Sequence, residues 1–362
     1  MRSVGVEEEL LLVDPDSGQA LALAGEVLRD AADGEPAAEQ PFSSELMREQ
    51  VETNTRPCAT LDELAAEVRR WRRAVSDAAK GRGARVAALG TSPLPVDPSI
   101  TVSPRYQRIA GEFGRTAEEQ LTCGCHVHVQ VESESEGVAV LDRIRSWLPC
   151  LLALSANSPF WQGRDSGYAS FRSQVWGRWP SAGPTELFGS AATYHATTGA
   201  MMESGTLLDL AMVFFDARLS QVHPTVEVRV ADVCLVADDA VLLAALVRAL
   251  VETAARSWRA GAPPAPHRTE VLRLAGWRAG RSGLEGDLVD VTGRPVPAAQ
   301  VLRNLMKHLR PVLEDHGELE VVEDLVTGVL RRGTGAAVQR QVHRTSGQLA
   351  DVVAHAVNRT TS

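Results

Sequence analysis

Three stretches of this chain alternate apolar and polar residues with a period of two, and the polar side of each carries acids, histidines or arginine. Along an extended strand, residues two apart share a face. In Val4 to Val13, Glu7 and Glu9 therefore point the same way with Gly5, while Val4, Val6, Leu10 and Leu12 take the other face, interrupted by Glu8. In Thr122 to Val131, Gly124, His126, His128 and Gln130 share one face, and Val127, Val129 and Val131 the other. In Thr225 to Val230, Glu227 and Arg229 oppose Val226, Val228 and Val230. Any one of these strands is explained by a solvated, acid-decorated edge or a surface salt bridge. Three of them together imply one sheet whose apolar side rests on helices and whose polar side forms a cleft.

Two carboxylates side by side repel, so Glu7 and Glu9 need a cation between them or a raised pKa. A hard divalent ion such as Mg²⁺, which prefers oxygen ligands, resolves the repulsion. Glu45, Glu49 and Glu52 supply further acid. On a helix Glu49 and Glu52 would share a face and Glu45 and Glu49 would lie one turn apart, so the sequence leaves open which of them point inward. Cys123, Cys125, His126 and His128 have the composition of a zinc site. Strict alternation turns both cysteines away from both histidines, and only a bulge would rescue that geometry. The favoured reading puts one or both histidines in the shared polar cleft.

The rest of the chain frames these strands. Leu46 to Thr55 is mixed, with a strand near Val51 to Thr55. Thr60 is an expected N-cap with Glu63 completing a capping box, followed by Leu61, Leu64, Ala65, Val68 and Trp71 at helical spacing up to Gly81 and Gly83. Arg85 to Leu89 is a short strand. Val138 to Ala156 reads as one helix kinked near Pro149. Asn157 to Ser190 is rich in Gly, Pro, Ser, Trp and Arg and has no clear period, which suggests a functional loop. Asp239 to Arg259 reads as a helix, Gly261 to Pro266 as a break, and the remainder as mainly helical with a turn at Thr292 to Pro295. Early and middle strands with long helices closing the chain make an α+β pattern with a mostly antiparallel sheet.

The net charge of −9 and pI near 5.6 argue against a nucleic-acid surface. No stretch reaches the roughly 18 consecutive apolar residues that span a bilayer, and Met1-Arg2-Ser3-Val4 runs into acidic residues rather than a signal peptide. No membrane partner and a cytoplasmic location are the expectations. Five cysteines, Cys58, Cys123, Cys125, Cys150 and Cys234, do not read as a disulfide framework. Lys80 and Lys307 are the only lysines, and neither sits in a GxxxxGK[ST] phosphate loop. Phosphates, if handled, must meet arginines and metal ions. Trp71 and Trp147 are expected core residues. Trp161, Trp176 and Trp179 could pack or stack on substrate, and His223 with Pro224 sets an entry turn. His195, His267, His308, His316 and His343 show no partner pattern.

Taken in order, Gly5-Val6-Glu7-Glu8-Glu9, Gln50-Val51-Glu52-Thr53-Asn54-Thr55, Cys123 to Val129, Ala156 to Gly163, Tyr168-Ala169-Ser170 with Arg172, and Thr225 to Arg229 resemble the glutamate–cysteine ligase type 2 family of carboxylate–amine ligases. A weaker match runs through Gly283 to Gly286. The resemblance implies one ligase domain over 1–362, with a strand-rich core to about residue 235 and a helical part beyond. It implies a glutamine-synthetase-like curved sheet, mostly antiparallel, around a site for ATP and Mg²⁺, with Mn²⁺ as the alternative ion. Such enzymes phosphorylate a carboxylate, here the γ-carboxylate of L-glutamate, and an amine such as L-cysteine or another amino acid displaces the phosphate. By position, Glu7, Glu9, Glu45, Glu52, His126 and Glu227 are implied metal ligands. Arg229, Arg172 and His126 are implied catalytic or phosphate contacts, with His128 beside them toward the cofactor. Two departures stand out: Cys125 occupies a position where the family often has a polar residue, and many relatives have a longer N-terminus. A divalent-metal hydrolase using the same cleft and a non-catalytic ATP or small-molecule binder are the alternatives. Small-molecule substrates and a homo-oligomer are the partner expectations.

Overall fold

The computed structural model describes residues 1–32 and 42–362. The main sheet contains β1 (Val4–Val13), β2 (Phe42–Ser44), β3 (Gln50–Asn54), β4 (Arg85–Ala87) and β5 (Gly124–Gln130). A separate hairpin pairs β6 (Phe160–Trp161) with β7 (Arg164–Asp165), and β8 (Ala217–Leu219) and β9 (Thr225–Asp232) complete the sheet. Its order is β2-β3-β1-β5-β9-β8, with β4 also pairing β1. Every strand pair is antiparallel. This is the α+β, antiparallel arrangement expected from the sequence.

The alternation in the three diagnostic strands is borne out except at Glu8 and, past a bulge in β9, at Val230. Val4, Val6, Val127, Val129, Val226 and Val228 are buried in one core with Leu64 and Val68 of helix Leu61–Gly81, Val140 and Ile144 of helix Glu134–Ile144, and Leu246 and Leu250 of helix Ala237–Arg259. Each fully buried Val or Leu of this kind contributes roughly 1.5–3 kcal/mol through the apolar area it removes from water. The C-terminal half of β1, Leu10 to Val13, is buried on both faces in a second core with Val75, Val86, Leu235 and Val353.

Glu8 is the exception on the apolar face. Arg72 takes both of its carboxylate oxygens, at 2.8 and 2.6 Å, and both side chains are sealed from solvent. The same guanidinium donates to the carbonyls of Cys234 at 2.6 Å and Thr360 at 3.1 Å. One arginine thus joins β1, helix Leu61–Gly81, the turn after β9 and the C-terminal helix Leu349–Thr360.

Other local expectations are met or corrected. The Thr60–Glu63 capping box forms, and Gly83 adopts φ +72 just past the helix end. The expected single helix through Pro149 is instead two, Glu134–Ile144 and Leu148–Ser155. Proline lacks the amide an interior turn needs and its ring would strike the carbonyl four residues back, so it sits in the first turn of the second helix. Helices Ala24–Ala32, Pro104–Phe113 and Ala191–Glu203, strand β8 and a small hairpin of Asp287–Val289 with Pro295–Pro297 were not anticipated. The unpatterned stretch from 157 contains the β6–β7 hairpin and a five-residue helix, Arg172–Trp176. All five cysteines are free and buried, and no helix among the described residues is long and apolar enough to cross a membrane.

Candidate active site

The antiparallel register lines up the polar residues across the sheet. Glu9 pairs with Glu52, Glu7 with His126, His128 with Glu227, and Glu227 with Arg218 of β8. Glu45 joins from the loop between β2 and β3. Two clusters result, Glu7–His126–Glu227 and Glu9–Glu45–Glu52, whose donor atoms lie within 4.8 Å of one another in each cluster. Glu49 turns away: its carboxylate accepts the Ser99 amide at 3.0 and 3.1 Å and fixes a loop. The segment is a strand around Glu52, so the helical relation between Glu49 and Glu52 does not apply.

A bulge separates the Cys125 and Val127 pairings of β5 with β9, where one β5 residue, His126, stands against two of β9, Arg229 and Val230. The extra residue lies in β9, so Cys123 and Cys125 stay in the apolar cores. The zinc reading fails for that reason, and no cysteine joins a ligand cluster among the described residues. The bulge also reverses the last residues of β9. Val230, expected on the apolar face, lines a cavity, and Asp232 pairs with Gly124 on the cleft side. There Asp232 accepts the Asn157 amide at 2.8 Å and the hydroxyls of Ser158 at 2.7 Å and Ser170 at 2.8 Å.

The two clusters differ in their electrostatics. Burial opposes the Glu7 charge, but hydrogen bonding to His126 and His128 overrides it and holds Glu7 well below the usual carboxylate range. Burial and the Arg229 charge lower His126, whereas contact with Glu7 outweighs burial at His128 and raises it. Glu227 is buried, yet Arg229 and Arg218 draw its pKa down to about 2; Arg218 Nε reaches it at 2.7 Å, and Arg229 also pairs with it. Among the described residues, Glu9, Glu45 and Glu52 are not seen paired with a cationic side chain as Glu227 is. Burial and the neighbouring acids push Glu45 well up, and burial with the Glu7 charge pushes Glu52 to about 7. Buried like charges of this kind are what a divalent cation relieves. An all-oxygen cluster beside one containing His126, whose Nε2 is buried without a partner, fits Mg²⁺ or Mn²⁺ as a donor set. His128 stands behind Glu7, its Nε2 3.0 Å from that carboxylate and its Nδ1 3.0 Å from Thr225 Oγ1.

Two cavities meet here. One, of about 230 Å³, is lined by Glu7, Glu9, Glu45, Glu52, His126 and Arg229. The other, of about 330 Å³, is lined by Arg172, Arg178, Arg273, Asp216 and Trp277, and shares Arg229 and Trp176 with the first. Trp176 lies 5.5 Å from the guanidinium carbons of both Arg172 and Arg229, a cation–π contact with the protein's own arginines at the wall of both cavities. Trp179 is instead buried against Phe113 and Phe214. Arg172 is 1% exposed, and its Nε and Nη2 have no hydrogen-bond partner among the described residues. It lies directly over Gly124, where an added Cβ would stand 2.2 Å from Nη2. Glycine at 124 is what admits the guanidinium.

Sequence reasoning missed Arg218 and Asp216. A signal was present: Phe215 to Leu219 alternates, and the polar turn Ser220 to Pro224 joins it to the next strand as a hairpin would.

Residues 3–355 match the profile of glutamate–cysteine ligase family 2. A Streptomyces coelicolor protein provisionally named glutamate–cysteine ligase 2 is 56% identical over 361 residues, which is 99% of each chain. A Frankia alni protein with the provisional name glutamate–cysteine ligase 2-2 is 49% identical over 374 residues, 100% of this chain and 98% of its own. Among solved structures, the glutamate–cysteine ligase of Francisella tularensis in complex with AMP is similar at TM-score 0.70 and 14% identity, over 100% of this chain and 89% of that one. A bifunctional glutathione synthetase from Pasteurella multocida is similar at TM-score 0.71 and 15% identity, over 99% of this chain and 52% of that longer one. These two structures share the fold of this chain.

Proposed function

The chain belongs to glutamate–cysteine ligase family 2 and is an amide-forming ligase, and from that premise we propose that it couples the γ-carboxylate of L-glutamate to an amine at the expense of ATP. The γ-phosphoryl group passes to the carboxylate, giving ADP and an acyl phosphate. The amine, that of L-cysteine or another amino acid, loses a proton, attacks the acyl carbon and expels phosphate. The observation that carries this reading is the meeting of the carboxylate clusters with Arg229, which also lines the adjoining cavity that holds Arg172. Phosphoryl transfer is mainly positioning and charge neutralisation. Glu7, His126 and Glu227 would hold one divalent ion, and Glu9, Glu45 and Glu52 another. When bound, such ions neutralise phosphate charge. Arg229, kept in place by Glu227 and Trp176, presents a planar fork to a phosphate oxygen. Arg172, buried and with Nε and Nη2 unpartnered among the described residues, binds and orients a carboxylate.

The direct test mixes protein, ATP, Mg²⁺, L-glutamate and a panel of amines and measures phosphate. Release that depends on both glutamate and an amine is expected. Protein that binds ATP yet turns over with none of the amines would exclude the proposal.

Metal binding has its own signature. With Glu52 near 7 and Glu45 raised in the metal-free cluster, a cation must displace protons at low pH and finds ionised ligands at high pH. The rise in Tm on adding Mg²⁺ should therefore be larger at about pH 8 than at about pH 6. Glu52→Gln should shrink the rise and flatten its pH dependence. Equal rises at both pH values in the unsubstituted protein would count against this cluster as a metal site.

A further inference from the structure

We propose that Asp216 selects for a free ammonium group on the substrate entering the arginine-lined cavity, which then takes the zwitterionic head of an α-amino acid. This rests on the ligase reading above and adds the residue that tells an amino acid from a plain carboxylic acid. The cavity wall carries four arginines and one acid. Two of the arginines are engaged: Arg178 pairs with Glu119 at 2.6 Å and Arg229 with Glu227. Arg172, which lies against Trp176 and within the field of Asp232, makes no hydrogen bond through Nε or Nη2 among the described residues, and a buried guanidinium with donors to spare is half of a bidentate carboxylate site.

Asp216 supplies the opposite half. It immediately precedes β8, and its backbone is fixed at the sheet edge, the amide donating to the Gly183 carbonyl at 3.0 Å and the carbonyl accepting from the Arg229 amide at 2.9 Å. Its carboxylate, by contrast, receives no hydrogen bond among the described residues. Burial pushes that carboxyl up to about 7, with the Arg273 charge relieving it only in part. A recessed acid without donors is satisfied by a compact cation carrying several N–H groups, which describes an ammonium. A single ligand that answers both Arg172 and Asp216 bears a carboxylate and an ammonium. Because Arg229 and Trp176 belong to both cavities, the rest of such a ligand reaches toward the carboxylate clusters.

The test compares L-glutamate with glutarate, the same chain without the amine, in phosphate release and in Tm shift, using the full chain with ATP and Mg²⁺. The unsubstituted protein should favour glutamate by about tenfold or more in KM. Asp216→Asn should remove that preference by raising the KM for glutamate alone, with the KM values for glutarate and ATP unchanged. Asp216→Glu should keep part of the preference, which separates a lost charge from a disturbed fold. An Asp216→Asn protein that still discriminates overturns the proposal. So does an unsubstituted protein that separates no α-amino acid from its des-amino analogue. Discrimination seen with a different amino acid and not with glutamate would remove glutamate as the substrate and leave the role of Asp216 standing.

Discussion

Replacing Arg229 with alanine should lower kcat for amide formation by about 10³-fold, the scale on which phosphoryl-transfer enzymes depend on one well-placed arginine. The residue is buried, bridges the two cavities and is held over Trp176 by its pairing with Glu227. Lysine at 229 should recover less than about a tenth of the loss, since an ammonium keeps the charge without the planar fork. Stability should change little. Glu227 keeps Arg218 at 2.7 and 3.2 Å, so its carboxylate is not left buried and alone. The measurements are steady-state phosphate release and a thermal melt of each variant. A kcat within threefold of the unsubstituted enzyme would show that Arg229 does not act on the transferring group.

Glu8→Ala should destabilise the fold by about 3–5 kcal/mol, the cost of stranding one partner of a buried ion pair. Arg72 is fully buried and takes both Glu8 oxygens. Once Glu8 is gone, the carbonyls of Cys234 and Thr360 are the hydrogen-bond partners left to it among the described residues. The double variant Glu8→Leu with Arg72→Met should regain most of the loss, because a well-packed apolar pair needs no partner in that core. Urea unfolding of the three proteins decides the matter. A loss below about 1 kcal/mol in Glu8→Ala would mean that Arg72 finds another partner. Glu8 lies between two cleft residues, so a fall in stability with no fall in kcat per folded molecule separates its role from theirs.

Glu7, Glu9, His126, Glu227 and Arg229 were legible in the sequence as residues of one cleft because each sits on a strand whose opposite face is mostly apolar, with Glu8 the exception in β1. Arg172 and Glu45 were legible only through the family resemblance, since neither lies on a strand of the sheet. The contact of Trp176 with two guanidinium groups was not legible at all, because Arg229 lies 53 positions away on another element. Arg72 looked like one more charge on an amphipathic helix, and nothing near it in the chain announces Glu8, 64 positions away.

By itself the sequence determined which side chains share a face, because that follows from the covalent geometry of an extended chain and holds over a few residues. It also determined the family, through the order of short motifs. The tertiary structure decided the rest: which strand stands beside which, and hence that Glu9 meets Glu52 and Glu7 meets His126. It decided that one extra residue in β9 sets Asp232 opposite Gly124, bonded to Asn157, Ser158 and Ser170, and places Val230 at a cavity wall. It also brought Asp216 and Arg172 into one cavity. Register, bulges and loop positions are set by contacts between residues far apart in the chain. A local period carries no record of those contacts.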